Sequence, residues 1–196
     1  MTSLLRTLAL SLGSFTAART SAQVPAAPLA TWPERHYERK AEAMTVLTGW
    51  GTANVLVGGI GAAASDDEQT RQFHLMNAGW GAINAALGVF GGRSARRDRR
   101  AGQPLDIAYA DLRRTEKILL FNAGLDLGYV AGGAYLLERA KRPGSETAAR
   151  DKGWGQAIVL QGVGLFVFDL LAYRHLHKGE GGLRIGGERG LEVRVR

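Results

Sequence analysis

The sequence predicts an all-α protein, a four-helix transmembrane bundle built from two helical hairpins and followed by a short basic tail. Four apolar stretches carry this prediction, and they run over residues 44–64, 75–92, 118–137 and 153–173. Each has about the ~20 residues that cross ~30 Å of hydrocarbon at 1.5 Å per residue. Only Asp126 and Asp169 place a charge inside them. A recurring Gly-Trp-Gly triplet and an internal repeat support the same fold class.

Composition and charge narrow the class further. The 196 residues carry a net charge of +7 and include no cysteine, which excludes disulfides, thiolate metal sites and cysteine nucleophiles. The charges lie between the apolar stretches. Beside membrane helices, such basic connections contact anionic lipid head groups and set the topology, so we expect a lipid bilayer with anionic head groups as the partner, and no nucleic acid.

The chain divides into four regions. Residues 1–22 resemble a secretory signal peptide, because Arg6 precedes a short apolar core and Thr20-Ser21-Ala22 supplies small residues at the cleavage position. A disordered or interfacial leader is the alternative. Residues 23–35 read as a proline-containing linker, residues 36–177 as the four-helix domain, and residues 178–196 as a basic tail that could form a small hairpin.

The apolar stretches repeat one another. GWGTANVLVGG at 49–59, GWGAINAALGVFGG at 79–92 and GWGQAIVLQG at 153–162 align without gaps. Shifting the first hairpin by 74 residues also places Glu42 on Glu116, Arg39 on Arg113 and Gly58-Gly59 on Gly132-Gly133. This similarity predicts two hairpins related by an internal repeat.

Glycine is expected to form the contacts between helices. Gly124, Gly128 and Gly132 recur every four residues in the third stretch, which makes a face without side chains. A neighbouring backbone can approach such a face closely and gain dispersion contacts that lipid does not supply. We therefore expect glycine-rich faces to bind a protein partner or a second copy of the chain.

Polar residues within the stretches are the candidate functional site. Counted from the ends that share one side of the membrane, the main candidates lie about 12 to 18 Å deep, near the bilayer centre. These are Asp126, Asn54, Asn84 and Gln161. Asn122, which falls on the same helical stripe as Asp126, is a further main candidate, and Asn77, Asp169, Trp50 and Trp80 are secondary candidates. They form either interhelical hydrogen bonds or a pathway or pocket for a proton, a cation or a small ligand.

Asp126 is the most informative of these residues. A carboxyl group at mid-depth needs a partner on a neighbouring helix, and Asn84 or Asn54 is the expected one. Asp169 lies near the end of its stretch, where we expect it to reach the interface or to pair with Arg174. The tryptophans are expected to pack or to anchor the interface.

The remaining residues give no sign of a cofactor or of catalysis. His36, His175 and His177 fall on one side of the predicted membrane and His74 on the other, and the i, i+2 spacing of His175 and His177 suits metal ligation poorly. The sequence contains no catalytic triad motif, phosphate-binding glycine loop or HExxH motif. We expect no metal, no cofactor and no enzymatic activity.

Three segments resemble a known family. FHLMNAGWGAIN at 73–84, FNAGLDLGYVAGGAYLLER at 121–139 and QGVGLFVFD at 161–169 are similar to an uncharacterised group of small bacterial four-helix membrane proteins, classed as a domain of unknown function. The resemblance spans about residues 39–177. It implies the four-helix architecture and a bacterial source, and it transfers no activity and no site.

Two functions follow as expectations. The first is a structural or accessory protein of the bacterial inner membrane that binds a partner or itself through its glycine faces. The second is a small transporter, channel or ligand-binding protein that uses the polar layer around Asp126. Most Lys and Arg residues lie on the side that holds both chain ends, which places those ends in the cytoplasm, whereas a cleaved signal peptide would place the mature N-terminus outside.

Overall fold

The computed structural model describes residues 31–178, and these form four long helices and no strand. The helices are α1 (Trp32–Ala64), α2 (Glu68–Arg100), α3 (Leu105–Arg139) and α4 (Ala148–His177). The predicted all-α fold with four helices is confirmed for this part of the chain. The predictions for residues 1–30 and 179–196, which include the signal peptide and the tail hairpin, fall outside the described residues.

Local sequence signals explain where the helices begin and turn. Pro33 lies in the first turn of α1, where its missing N–H is not needed, so the helix starts at Trp32 within the predicted linker. Asp67 caps α2 by accepting a 2.7 Å hydrogen bond from the backbone N–H of Thr70. Gly102 and Gly144 adopt positive φ angles of 63° and 73° in the connections after α2 and α3.

The four helices pack as two antiparallel hairpins. α1 packs along α2 and α3 packs along α4, while α2 and α4 form the main contact between the hairpins. Glycines permit the close approaches: a Cβ atom at Gly81 would lie 2.6 Å from the carbonyl oxygen of Gly51, and one at Gly155 would lie 2.8 Å from that of Gly133. Backbones therefore touch where the sequence repeats its Gly-Trp-Gly triplet.

The two hairpins correspond with a different offset from the one that the sequence alignment gives. Gly88 of α2 approaches Met44 of α1, and Gly162 of α4 approaches Asp126 of α3. Packing thus places Met44 on Asp126, about two turns beyond its aligned partner Ile118. The second hairpin turns about one helical turn later after its glycine pair than the first. Relative to the repeat alignment, α3 is therefore shifted along α4 compared with α1 along α2.

The glycine face of α3 remains open within the bundle. A Cβ atom at Gly124, Gly128 or Gly132 would meet no atom within 4 Å. The expectation that this face packs inside the four-helix unit is therefore wrong, because Ala123, Asp126 and Gly133 turn toward the other helices instead. The three glycines lie on the outer surface of the protein.

Large apolar side chains cover the outside of the bundle at mid-height. The exposed ones lie on all four helices, within residues 46–60, 75–90, 118–135 and 160–171, with Ile107 as the exception among the described residues. α1 and α4 are long and apolar enough to cross a membrane, with mean hydropathies of 1.2 and 1.7 over their most apolar segments. Of those segments, 17% and 33% are buried, and α2 and α3 do not reach the same combination of length and hydropathy.

The end of the bundle that holds the α1 N-terminus and the α4 C-terminus has its own small core. Trp32, Tyr37, Leu112 and Leu176 pack together there beyond the apolar band. Ion pairs surround this core, among them Lys40 with Asp111 at 2.7 Å, and others between Arg99 and Glu34 and between Arg113 and Glu116. The charged segments of the helices therefore continue the bundle on this side, which we call the basic end.

Candidate functional site

A hydrogen-bonded network around Gln161 joins three helices in the middle of the bundle. The side-chain amide of Gln161 donates to Oδ1 of Asn54 and to Oδ1 of Asn77, both at 2.7 Å. Its carbonyl oxygen accepts a 3.1 Å bond from the indole Nε1 of Trp50. Asn54 and Asn77 use their own amides to bond the backbone carbonyls one turn earlier. Every polar group of this network thus has a partner, and we call it the Gln161 network.

Gln161 is buried with 1% of its surface exposed, and Asn77 with 4%. A buried amide is stable only when its donors and acceptors are satisfied, because desolvation of an unpaired one costs several kcal/mol in hydrocarbon. The paired side chains of the Gln161 network therefore form hydrogen-bonded contacts from α4 to α1 and α2.

Asp126 and Asp169 form a second polar cluster on the facing helices α3 and α4. Both are buried, with 3% and 5% of their surfaces exposed, and their carboxyl groups lie within hydrogen-bonding reach of each other. Two carboxylates can only accept, so a hydrogen bond between them requires a proton on one. We call these two residues the acid pair.

The acid pair opens into a cavity of about 220 Å³. α2 and α3 hardly contact each other at this height, and the cavity fills the space between them. Among the residues that line it are Asn84, Asn122, Trp80 and Tyr129. The Trp80 and Tyr129 rings meet edge to face with centroids 4.9 Å apart and form one wall.

Two buried polar atoms in this cavity have no donor or acceptor within reach among the described residues. These are Oδ2 of Asp126 and Nδ2 of Asn84. The two clusters differ in their hydrogen bonding. The side chains of the Gln161 network bond one another, whereas these two atoms of the cavity have no partner within residues 31–178. Unsatisfied polar groups that converge on one cavity indicate a place where a further group binds.

The predicted polar layer is therefore divided. Asn54, Asn77, Gln161 and Trp50 belong to the Gln161 network, while Asn84, Asn122, Asp126 and the secondary candidate Trp80 line the cavity of the acid pair. The burial of Asp126 matches the expectation, but its partner is Asp169, and neither Asn84 nor Asn54. The expectation that Asp169 reaches the interface or Arg174 is wrong, because the register of α4 against α3 brings its carboxyl inward.

Tryptophan and histidine serve as hydrogen-bonding and packing groups. Trp154 donates a 2.8 Å bond to Gln72 at the opposite end of the bundle from His36. His36 stacks on Trp32 and pairs with Asp111 at 2.8 Å. Residues 31–178 contain no group of three His, Asp or Glu side chains placed to hold a metal ion.

Two aspartates outside the apolar stretches, the half-buried Asp111 and the buried Asp151, were not identified by the sequence reasoning. Burial alone raises the pKa of Asp111, but hydrogen bonds from His36 and Lys40 outweigh it and hold the pKa below its usual value. Asp151 is fully buried, and the hydrogen bond from Arg139 lowers its pKa against the opposing effect of burial. Asp111 links α3 to α1, and Asp151 links α4 to α3. The spacing of these residues from Lys40 and Arg139 in the sequence gives no helical signal that would reveal the pairs.

Comparison with known proteins gives one similarity. Residues 46–170 match the sequence profile of a family described as "Family of unknown function (DUF6992)". The matched region begins near the start of the first apolar stretch and ends just after Asp169, so it contains both the Gln161 network and the acid pair. No curated protein and no solved structure matches the chain.

Proposed function

The chain belongs to this family of unknown function, and we propose that it is an integral membrane protein that crosses the bilayer four times and binds a proton or small cation at its acid pair. The protein would lie in the inner membrane of a bacterium. The proposal involves binding and no bond-breaking chemistry.

The distribution of exposed apolar residues supports the membrane part of this proposal. Phe90, Phe121 and Ile60 are 67 to 70% exposed, and they lie on three different helices within the band of the four stretches. A soluble bundle would bury these faces, since a contiguous apolar surface of this kind promotes association in water. A bilayer of ~30 Å hydrocarbon thickness covers the whole band. The charged basic end would then lie in the cytoplasm, by the positive-inside rule.

The single observation that carries the binding site is the contact of Asp126 with Asp169 beside unpaired Asn84. Two buried carboxyl groups repel each other when both are ionised, and the repulsion grows in a medium of low polarity. A proton or a cation between them removes this repulsion. The carbonyl oxygen of Asn84 and the ring face of Trp80 are further groups that favour a cation at the same cavity.

Infrared spectroscopy of the protein in membranes tests the site. A protonated carboxyl group shows a carbonyl stretching band that a carboxylate lacks. In buffer without small cations, we expect this band in the wild-type protein, and we expect Asp126→Asn and Asp169→Asn each to abolish it. Added sodium, potassium or ammonium should reduce the band if a cation replaces the proton.

Asp151→Asn is the matched control, because it removes a buried aspartate that is already paired with Arg139 at 2.8 Å. The band should persist in this variant. A wild-type protein without the band in cation-free buffer, or a band that survives both acid-pair substitutions, would contradict the proposed site.

A second candidate function is association through the open glycine face of α3. Gly124, Gly128 and Gly132 are exposed at membrane depth, and a partner helix could approach their backbone as closely as Gly51 approaches Gly81. Gly128→Leu should then lower the fraction of cross-linked dimer or of co-purified partner in native membranes. Gly79→Leu is the control, since Gly79 is likewise open but stands apart from this face. Equal association in both variants would exclude the face.

A further inference from the structure

A larger cavity of about 710 Å³ lies between α1 and α4, on the side of the bundle away from the gap between α2 and α3. Val46 and Trp50 of α1 line it together with Val167, Phe168 and Leu171 of α4. We call this cavity the α1–α4 groove. Its inner end is closed where the Trp50 ring covers Gly164, at which a Cβ atom would lie 2.8 Å from Cζ2 of the ring.

The opposite end of the groove, at the basic end of the bundle, is charged. Glu42 of α1 and three residues from the last turns of α4, Arg174, His175 and Lys178, line it there. Glu42 accepts a 2.9 Å hydrogen bond from the ring Nε2 of His175. Arg174 and Lys178 are exposed, and the mouth of the groove therefore carries two cations.

The groove is thus amphipathic along its length. It is apolar over the part that lies at the depth of the exposed hydrophobic band, and cationic where α4 leaves that band. A ligand that fits it has an apolar chain and an anionic head, in that order from the bilayer centre outward. An anionic phospholipid has this arrangement, and its phosphate lies at the height of arginine and lysine side chains that flank membrane helices.

We propose that the α1–α4 groove binds one anionic phospholipid, with an acyl chain against Trp50 and Val167 and the phosphate between Arg174 and Lys178. The inference rests on the proposed insertion of the bundle into a membrane, and it is independent of the acid pair. A helix from a protein partner fits less well, because a helix with its side chains is ~10–12 Å wide and the bond from Trp50 to Gln161 closes the groove at its inner end.

Native mass spectrometry of the detergent-solubilised, delipidated protein tests this site. The protein is titrated with phosphatidylglycerol and with phosphatidylcholine of the same acyl chains. We expect one phosphatidylglycerol per chain to bind roughly tenfold more tightly than phosphatidylcholine, because each basic residue near the head group adds to the attraction. The double variant Arg174→Gln/Lys178→Gln should lose this preference.

Arg93→Gln/Arg114→Gln is the charge control, since it removes two exposed cations from the same end of the bundle but outside the groove. It should keep the preference. A second pair of variants tests the apolar part: Val167→Trp fills the groove, whereas Val163→Trp adds the same bulk one turn away at a position of nearly equal exposure, 49% against 48%. Only Val167→Trp should weaken the binding of both lipids.

The outcomes separate this inference from the proposed membrane insertion. A protein that folds and stays monomeric without detergent would overturn both. A detergent-requiring protein that binds the two lipids equally, or that loses its preference equally in the Arg93/Arg114 control, would overturn the lipid site alone. Competition by glycerol phosphate without acyl chains as effective as the whole lipid would show a soluble anion site and would also overturn it.

Discussion

The indole Nε1 of Trp50 donates a 3.1 Å hydrogen bond to Oε1 of Gln161, and this bond links the first hairpin to the second at the centre of the bundle. Trp50 is the central residue of the Gly-Trp-Gly triplet at 49–51, and Gln161 lies about two turns after the triplet at 153–155. The same bond separates the α1–α4 groove from the interior. Gln161 thus joins α4 to both α1 and α2 through hydrogen bonds.

Removal of Gln161 should therefore destabilise the whole bundle. Gln161→Leu would leave Oδ1 of Asn54, Oδ1 of Asn77 and the Trp50 N–H without partners, at a cost of about 1–3 kcal/mol in the free energy of unfolding. Gln156→Leu on the same helix is the control, because Gln156 makes only an exposed 3.2 Å bond to Gln69. Thermal unfolding in detergent measures both, and equal stability of the two variants would argue against a structural role for Gln161.

Gly81 packs closely on the backbone of α1, whereas Gly79 faces open space, and this difference gives a second prediction. Gly81→Ala should destabilise the first hairpin by about 1–3 kcal/mol, since the new methyl group would overlap the backbone of α1. Gly79→Ala should leave stability within about 1 kcal/mol of wild type or raise it, because its Cβ meets open space and alanine favours the helix. Chemical unfolding in mixed micelles distinguishes the two. A larger loss for Gly79→Ala would contradict the packing of α1 on α2.

The buried pair of Asp151 and Arg139 predicts a dependence of stability on pH. The hydrogen bond from Arg139 lowers the pKa of Asp151 in the folded protein below its unfolded value of about 3.9. The pair therefore stabilises the fold above about pH 4, and this contribution is lost as the pH falls through the lowered pKa.

Asp151→Asn should remove this part of the acid sensitivity, while Glu138→Gln, which alters an exposed pair with Lys141 near the same end, should not. Unfolding midpoints between about pH 5 and pH 3 provide the measurement. A wild-type protein whose stability is flat over that range, or two variants with the same pH profile, would be evidence against a paired Asp151.

Sequence reasoning predicted the parts of this fold that depend on one helix at a time. Asn77, Gly81, Asn84 and Gly88 recur at helical spacing on one face of α2, and the structure buries all four. Apolar length predicted the four helices, although all four extend past their apolar stretches at the ion-paired basic end.

The parts that depend on the register between helices were not predictable in the same way. Depth counted along each helix separately placed Asp169 near the surface, whereas the contact of Gly162 with the Asp126 backbone shifts α4 against α3 and brings the two acids together. Glycine spacing also marked Gly128 as a packing position without showing which helix, if any, would cover it. The register between helices, and which helix packs on which, depend on how side chains fit together across the bundle. The spacing of residues along a single sequence does not reveal that fit.

Accessibility of single cysteines tests the four-span arrangement most directly, and the chain contains no cysteine of its own to interfere. Ala101→Cys, Glu146→Cys and Val163→Cys place one thiol in the α2–α3 connection, one in the α3–α4 connection and one on the apolar outer face. With a membrane-impermeant maleimide, we expect Cys at 101 and at 146 to react from opposite faces of sealed vesicles, and Cys at 163 to react only after the membrane is dissolved and the protein unfolded. Labelling of 101 and 146 from the same face, or rapid labelling of 163 in intact vesicles, would contradict the transmembrane bundle.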